Sequence, residues 1–573
     1  MSLDFRNVNT LWASVLVETL ARLGLDCAIL CPGSRSTPLT VAFARHPTID
    51  AIPVLDERSA SFFALGRAQR SQKPVVLVCT SGTAGANFYP AIIEARESHV
   101  PLMVLTADRP PELRNCNAGQ AIDQQKLFGD YVNFYSELAL PSLEASMLAY
   151  LRQTMLQAWQ QTQYPLKGVV HLNLPFREPL APIPQPEAQQ LEKNFPNDFF
   201  NHVRFIKNHS LKQNCDSVFA SVINQKGVIV AGVAQPENPK QYCEAIAHLS
   251  KSLKMPVLAE GLSPLRNYTS LNPYLISTYD TILRNPDLSQ KLAPHVVIRI
   301  GEMPTSKVLR QWIDAISPLQ IVIDPSDRSL DPLHGKTIHL PMAIESLDLS
   351  IRADLDSVSD WISAEFQARR EIDRILNAEE TRFEGKAAWI LSQTLPPETP
   401  LFIASSMPVR DVEFFWKPND RAIQPFFNRG ANGIDGTLST ALGIAHDRSA
   451  VLLSGDLSLL HDTNGFLIRT HFRGHLTIVL INNNGGGIFG MLPIAPFEPF
   501  EEFFATPQNV DFSKLCQTYG VEHEIIESWT QLSDALKTLP TQGIRVLELK
   551  TDRHHDAQWR KNNLRQIAHS ITL

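Results

Sequence analysis

Ala450-Val451-Leu452-Leu453-Ser454-Gly455-Asp456 and Leu476-Thr477-Ile478-Val479-Leu480-Ile481-Asn482-Asn483-Asn484-Gly485 are the two stretches that decide the fold. Each is an apolar run that breaks off at a polar group. Aliphatic runs of this length with no helical period predict strands buried on both faces. Gly-Asp and Asn-Asn-Asn-Gly supply the turns that end them. Twenty-five residues lie between Asp456 and Asn482, room for one crossover helix and the next strand. Strands joined in this way run parallel, so both polar ends emerge at the carboxyl edge of one sheet. Open α/β sheets bind their ligands at that edge.

The chemistry at these two ends suits a hard cation. The Asp456 carboxylate, the Asn483 side-chain carbonyl and the Gly485 backbone carbonyl offer three oxygen ligands. Mg²⁺ takes such a set, completed by diphosphate oxygens and water, and Mn²⁺ is the alternative ion. Glycines at Gly455 and Gly485 let a diphosphate approach the backbone. Gly485-Gly486-Gly487-Ile488-Phe489-Gly490 also matches a dinucleotide fingerprint in form. That motif needs a helix directly after it. Met491-Leu492-Pro493-Ile494-Ala495-Pro496 follows instead and cannot form a regular helix, so the dinucleotide reading is discarded.

Outward from this signal the same alternation of β-rich runs and amphipathic stretches recurs. Asp26–Cys31, Ala51–Leu55, Pro74–Thr80, Pro101–Thr106 and Gly168–Leu174 form a first set of predicted strands. Gly227–Ala231, Pro256–Glu260, His295–Ile300 and Gln320–Asp324 form a second. Pro400–Ser405, Ala450–Ser454, Leu476–Ile481 and Arg545–Leu549 form the third. The proline-rich stretch Pro175–Pro186 reads as a linker, and Ser357–Thr381 as a charged helix. The expected fold class is therefore α/β, with three domains of parallel sheets flanked by helices over residues 1–182, 190–350 and 375–573. The middle one lacks an intact phosphate-binding fingerprint and reads as a spacer, although the Asp324-Pro325-Ser326-Asp327 turn is open to a ligand.

Composition narrows the class further. The chain has 573 residues, 44% hydrophobic and 19% charged, which excludes global disorder. A formal charge of −7 argues against nucleic-acid binding and against adhesion to an anionic membrane. No apolar run reaches the ~18 residues of a membrane span. Seven cysteines, an odd number with no CxxC pair, point to buried thiols in a reducing compartment, and the expected location is cytoplasmic.

The Gly455-Asp456…Asn482-Asn483 spacing resembles the signature of thiamin-diphosphate-dependent enzymes. The family usually has Gly after the Asp; Leu457 stands there in this chain and leaves the ligand positions intact. The resemblance implies thiamin diphosphate as cofactor and a carboxylate that reaches N1′ of its aminopyrimidine. Glu57, after the run Ala51–Leu55 and just before a helix, fits that role; a plain helix-N-terminal acid is the other reading. Thr80-Ser81-Gly82 ends a strand where hydroxyls and amides line a pocket mouth. Ile434, in Gly433-Ile434-Asp435-Gly436, is the candidate wedge between the two cofactor rings, and core packing is its alternative reading.

Within that family the chain resembles the branch that joins 2-oxoglutarate to isochorismate in menaquinone and phylloquinone biosynthesis. Cys31-Pro32-Gly33-Ser34-Arg35-Ser36-Thr37-Pro38, Thr106-Ala107-Asp108-Arg109-Pro110-Pro111, Gly119-Gln120-Ala121-Ile122 and Asn428-Arg429-Gly430-Ala431 carry the likeness. It implies decarboxylation of 2-oxoglutarate and 1,4-addition of the succinyl carbanion to isochorismate. It assigns Ser34, Arg35, Arg109, Gln120 and Lys307 to the isochorismate side, and Ser406 and Arg410 to the 2-oxoglutarate side. Arg429, Ile488, Phe489 and Leu492 would line the pocket. Some members carry Asn where this chain has Gly119, so the resemblance assigns no side-chain polar contact at that position. Both substrates bear several carboxylates, and arginine suits a bidentate grip on them. The superfamily implies a homo-oligomer whose active site is shared between two chains. Another thiamin-dependent 2-oxo-acid decarboxylase or carboligase is the alternative.

Overall fold

The computed structural model describes residues 3–206, 212–326 and 328–573, so Asp327 of the turn named above lies outside the described residues. Three six-stranded sheets, parallel throughout, confirm the α/β class. The first comprises β1 (Cys27–Leu30), β2 (Asp50–Pro53), β3 (Val75–Cys79), β4 (Leu102–Asp108), β5 (Phe134–Glu137) and β6 (Val169–Pro175), in the order β2-β1-β3-β4-β6-β5. After the short β7 (Gln213–Asn214), a second sheet holds β8 (Gly227–Ala231), β9 (Val257–Ala259), β10 (Leu275–Ile276), β11 (Val296–Ile300), β12 (Leu319–Ile323) and β13 (Lys336–Leu340). Its order is β10-β9-β8-β11-β12-β13. Beyond β14 (Leu347–Asp348), which pairs with β7, comes the third sheet. It contains β15 (Pro400–Ile403), β16 (Gln424–Phe426), β17 (Ser449–Gly455), β18 (His475–Asn482), β19 (Glu522–Ile525) and β20 (Gly543–Lys550), in the order β16-β15-β17-β18-β20-β19.

The first and third sheets thus share one strand permutation, a kinship that the amino-acid runs alone left open. The middle sheet has the doubly wound order found in dinucleotide-binding folds, although no glycine fingerprint accompanies it. Apolar runs became the inner strands: β1, β3, β4 and β6 are buried at every position. The strands missing from the sequence reading are short or lie at edges. β5, β13 and β19 carry Glu, Lys or His and are half-exposed or exposed at every position. Edge strands tolerate such residues because one side faces water. β2 stops at Pro53, and Leu55 beyond it is 66% exposed, so the run read as Ala51–Leu55 ends early.

Contacts divide the chain into two compact units. One holds Met1–Asn208 together with Asn428–Asp447 and His461–Gly474. The other holds His209–Phe427, Arg448–Leu460 and His475–Leu573, and so carries the second and third sheets. Two segments that flank β17 in sequence therefore pack with the first sheet. The helices Glu57–Ser71 and Thr437–Ala445 meet through glycines in that unit. A Cβ on Gly66 would lie 2.0 Å from the Thr440 carbonyl oxygen, and one on Gly443 2.1 Å from that of Phe63. Among the described residues no helix is long and apolar enough to cross a membrane.

Candidate active site

At the carboxyl edge of the first sheet, the loop after β1 folds over the end of β3. Gly33 is required there, because a Cβ would sit 2.2 Å from Cβ of Thr80. The next residues, exposed Ser34 and buried Arg35, start the turn into a helix. Arg35 donates Nη1 to the Phe176 carbonyl at 2.9 Å and lies 3.4 Å from the exposed Glu178 carboxylate, while its buried Nε has no partner. Beyond β3, Gly82 takes a left-handed φ of 88° and its N–H donates to Gln124 Oε1 at 2.8 Å. Arg109, at the end of β4, donates to Ser81 Oγ at 3.0 Å and to the Gly119 carbonyl at 2.9 Å. Gln120 donates to the Ser81 carbonyl at 2.9 Å.

The charge balance of this edge is informative. Asp108, beside Arg109, is already bound by Arg114 at 3.1 Å and by Asn173 Nδ2 at 2.9 Å. The Arg109 guanidinium is left donating to neutral oxygens. Burial, and next the positive charge of Arg109, hold the Arg35 guanidinium below its usual pKa. Two guanidinium groups that repel each other at a sheet edge favour an anionic ligand between them.

Glu57 is the first residue of its helix, and Asp56 caps that helix by accepting from Ser59 N at 3.0 Å. The other Asp56 oxygen accepts from Asn464 Nδ2 at 2.8 Å, which fixes the direction of the helix start. Among the described residues no hydrogen bond reaches the Glu57 carboxylate. Its negative charge, after burial, helps to raise the thiol pKa values of Cys31 and Cys79 at the ends of β1 and β3. It therefore stands at the same edge as the arginines. The loop bearing Arg429 and Ile434 belongs to this unit too. Buried Glu94 accepts from Gly430 N at 2.9 Å and Ala431 N at 2.7 Å. Gly436, with φ of 64°, presses on Phe62: a Cβ there would lie 2.0 Å from the ring.

The third sheet assembles the predicted cation ligands. Asp456, 5% exposed, follows β17 and accepts from Leu457 N at 2.8 Å and Gly485 N at 2.9 Å. Burial first, then the charge of Glu384 among its neighbours, push its carboxyl up to about 6. Asn483 is also buried; its Nδ2 donates to Glu384 Oε2 at 2.9 Å, and its Oδ1 is buried with no partner. Gly485 has φ of 144°, and a Cβ there would strike the Ala505 carbonyl at 2.5 Å. Its own carbonyl accepts one hydrogen bond, from Gly487 N at 2.9 Å, which leaves a second lone pair. A Cβ on Gly455 would meet nothing within 4 Å. An orphaned amide oxygen, a buried carboxylate and open space beside a glycine fit a diphosphate-bound divalent cation.

Other predicted residues of this unit lie close in the chain order of the fold. Ser406, with φ of 74°, follows β15, and Arg410 in the next helix donates back to its carbonyl at 2.5 Å. Half-buried Ile488 and Phe489 lie in the 3₁₀ turn Gly487–Met491, and Leu492 N donates to the Phe489 carbonyl at 3.0 Å. Exposed Lys307 opens the helix Lys307–Ile316 after β11. Sequence reading missed the supports: Glu94, Gln124, Glu384, Arg553 and Arg560. None sits in a motif, and each acts on a partner far away in the chain.

Comparison with known proteins bears on the family of the whole chain. Residues 12–127 match the N-terminal TPP binding domain of thiamine pyrophosphate enzymes, 199–403 the middle domain, and 414–549 the C-terminal TPP binding domain. The 2-succinyl-5-enolpyruvyl-6-hydroxy-3-cyclohexene-1-carboxylate synthase of Gloeothece citriformis is 59% identical over 99% of this chain and 100% of its own. That of Trichormus variabilis is 60% identical over 99% of both. Among solved structures, a putative thiamin diphosphate-dependent enzyme from Mycobacterium smegmatis superposes with a TM-score of 0.67 at 18% identity, over 94% of this chain and 99% of its own. Benzoylformate decarboxylase from Polynucleobacter necessarius gives 0.67 at 16%, over 95% and 98%. The full-length likeness, together with the matched domains, shows that the chain belongs to the thiamine pyrophosphate enzymes and, within them, to the family of 2-succinyl-5-enolpyruvyl-6-hydroxy-3-cyclohexene-1-carboxylate synthases.

Proposed function

We propose that the chain decarboxylates 2-oxoglutarate and adds the remaining four-carbon unit in a 1,4 sense to isochorismate, within menaquinone or phylloquinone biosynthesis. The observation that carries this reading is the pair Arg35 and Arg109, mutually repelling, with an exposed Glu178 carboxylate 3.4 Å from Arg35 and neutral oxygens accepting from the Arg109 guanidinium. An acceptor with several carboxylates relieves that repulsion; a small monoacid does not need it. Thiamin diphosphate, when bound, supplies the carbon nucleophile and the electron sink for loss of CO₂. Glu57 holds a proton at N1′ of the aminopyrimidine. Asp456, Asn483 and the Gly485 carbonyl hold Mg²⁺, or Mn²⁺, against the diphosphate, while Thr80, Ser81, Gly82, Ile434 and Gly455 shape the cofactor cleft.

Ser34, Arg35, Arg109, Gln120 and Lys307 are assigned to isochorismate. Ser406 and Arg410 are assigned to 2-oxoglutarate, and Arg429, Ile488, Phe489 and Leu492 to the pocket wall. Domain limits at 1–182, 190–350 and 375–573, a homo-oligomer with a shared site and a cytoplasmic location complete the proposal. The seven free cysteines are in keeping with a reducing compartment. The test is product mass after 2-oxoglutarate is supplied with and without isochorismate, on protein stripped of thiamin diphosphate and Mg²⁺ and then reconstituted. The adduct must require both substrates and both additions; its absence with all four present would exclude the reading.

A further inference from the structure

Asn483 is useful to a cation only if its amide is turned with the oxygen outward. An amide has two nearly isosteric ends, and its hydrogen-bond partners decide which end faces which way. Here the deciding partner is Glu384, at the start of the helix Gly385–Thr394. Its Oε2 accepts from Asn483 Nδ2 at 2.9 Å, and its Oε1 accepts from Arg560 Nη2 at 2.7 Å. An ionised carboxylate can only accept, so between two donors it admits one orientation of the amide. Glu384, Asn483 and Arg560 are all buried, at 2%, 7% and 1% exposure, so water cannot substitute.

Arg560 is itself held from the far side. Its Nε and Nη2 donate to Asp411 Oδ1 at 3.0 and 2.5 Å, and its guanidinium lies 5.1 Å from the Phe383 ring centroid. The same C-terminal helix, Arg553–Ser570, grips the loop a second time. Arg553 Nη1 donates to the carbonyls of Asn483 at 3.2 Å and Asn484 at 3.0 Å. This helix lies beyond the matched span 414–549, and Glu384 falls in the span 199–403 matched by the middle domain.

We infer that Glu384, braced by Arg560, is a positioning residue that sets the flip of the Asn483 amide and so creates the third-sheet cation site; this rests on the metal assignment proposed above. The step is geometric and moves no proton or electron. Glu384→Gln tests it sharply. The Gln oxygen is drawn to Arg560, its NH₂ then faces Asn483, and the Asn amide turns to accept, presenting NH₂ to the cation. Lost second-layer contacts of this kind typically weaken metal binding ~10–100-fold.

Mn²⁺ binding by the full chain with thiamin diphosphate present, read as free Mn²⁺ by electron paramagnetic resonance, is the measurement. Glu384→Gln is expected to weaken it by about 10–100-fold. The double variant Glu384→Gln/Asn483→Asp keeps the net charge and reverses the polarity of the contact, because Gln NH₂ now donates to a carboxylate whose other oxygen faces the ion. It is expected to regain most of the affinity and to bind more tightly than Asn483→Asp alone, where two carboxylates face each other; a gain that came only from the added ligand charge would be as large in that single variant. Wild-type affinity in Glu384→Gln, or a folded double variant binding no better than either single one, overturns the inference. If Glu384→Gln fails to fold, the double variant alone decides: near-wild-type affinity supports the inference, and weak binding overturns it. Asp456→Ala is run alongside. If it binds Mn²⁺ like wild type, the metal assignment itself is wrong; if it loses binding while Glu384→Gln does not, only the positioning role falls.

Discussion

At the scale of single residues, Glu57 and the arginines carry separable predictions. Glu57 has no hydrogen-bond partner among the described residues, so Glu57→Gln removes a charge without breaking a contact. Turnover is expected to fall roughly 10²–10⁴-fold, the usual loss when a proton-transfer group is removed, with the thermal midpoint unchanged. Steady-state rates at saturating cofactor test this, and near-wild-type turnover would sink the N1′ assignment. Arg410 and Arg35 are assigned to different substrates. Arg410→Ala should cost about 2–4 kcal/mol of transition-state stabilisation with 2-oxoglutarate while leaving the KM for isochorismate nearly unchanged. Arg35→Ala should show the reverse pattern. Equal damage to both substrates in both variants would show that the arginines are not divided in this way.

Elements add constraints that no single residue shows. In the middle of β6, His171 is fully buried, and its Nε2 lies 2.8 Å from Thr106 Oγ1. The Thr106 hydroxyl proton goes to Asn173 Oδ1 at 2.9 Å, so Nε2 of His171 is the donor in their contact. Its Nδ1 is buried without a partner, so a second ring proton has nowhere to bond. Burial lowers the ring to about 3. A folded value below the unfolded one means that the unfolded chain binds the proton first as pH falls from about 6.5 toward 3. Stability is lost over that window, by about 2 kcal/mol at pH 5 relative to pH 7. Asp462 and Asp456, each raised to about 6 by burial, work in the opposite direction in the same window. The difference between wild type and His171→Gln isolates the ring. Urea midpoints at pH 7 and pH 5 should fall less in the variant, and an identical shift would show that His171 does not titrate between the two states.

For the whole molecule, the two proposed halves of the chemistry lie on different compact units: Glu57 on one, Asp456 and Asn483 on the other. If the active site is shared between two chains, Glu57→Gln and Asp456→Ala are complementary defects. In a mixed dimer one site carries both lesions and the other neither. Subunit exchange between the two inactive variants should therefore restore activity, approaching one quarter of wild type for random pairing in equal amounts. Fully exchanged mixtures that stay as inactive as their parents would place each site within one chain.

Much of this was legible in the chain itself. Aliphatic runs broken by Gly-Asp and Asn-Asn-Asn-Gly determine inner parallel strands and the loops at their carboxyl ends, because those patterns are local and few backbones satisfy them. The positions of Asp456 and Asn483 just beyond β17 and β18 follow for the same reason. Edge strands such as β5 and β19 were not legible, since half-exposed strands need no apolar run. Nor was the packing of residues 428–447 and 461–474 in the unit of the first sheet, which rests on backbone approach at Gly66 and Gly443 for the former and on contacts such as Asn464 to Asp56 for the latter. The flip of Asn483 was beyond reach for a deeper reason. It depends on Glu384, 99 positions earlier, and through it on Arg560, 176 positions from Glu384. Hydrogen bonds between residues so far apart exist only once the sheet and the C-terminal helix have packed, so only the tertiary structure decides which end of the Asn483 amide is turned toward Glu384 and which away from it.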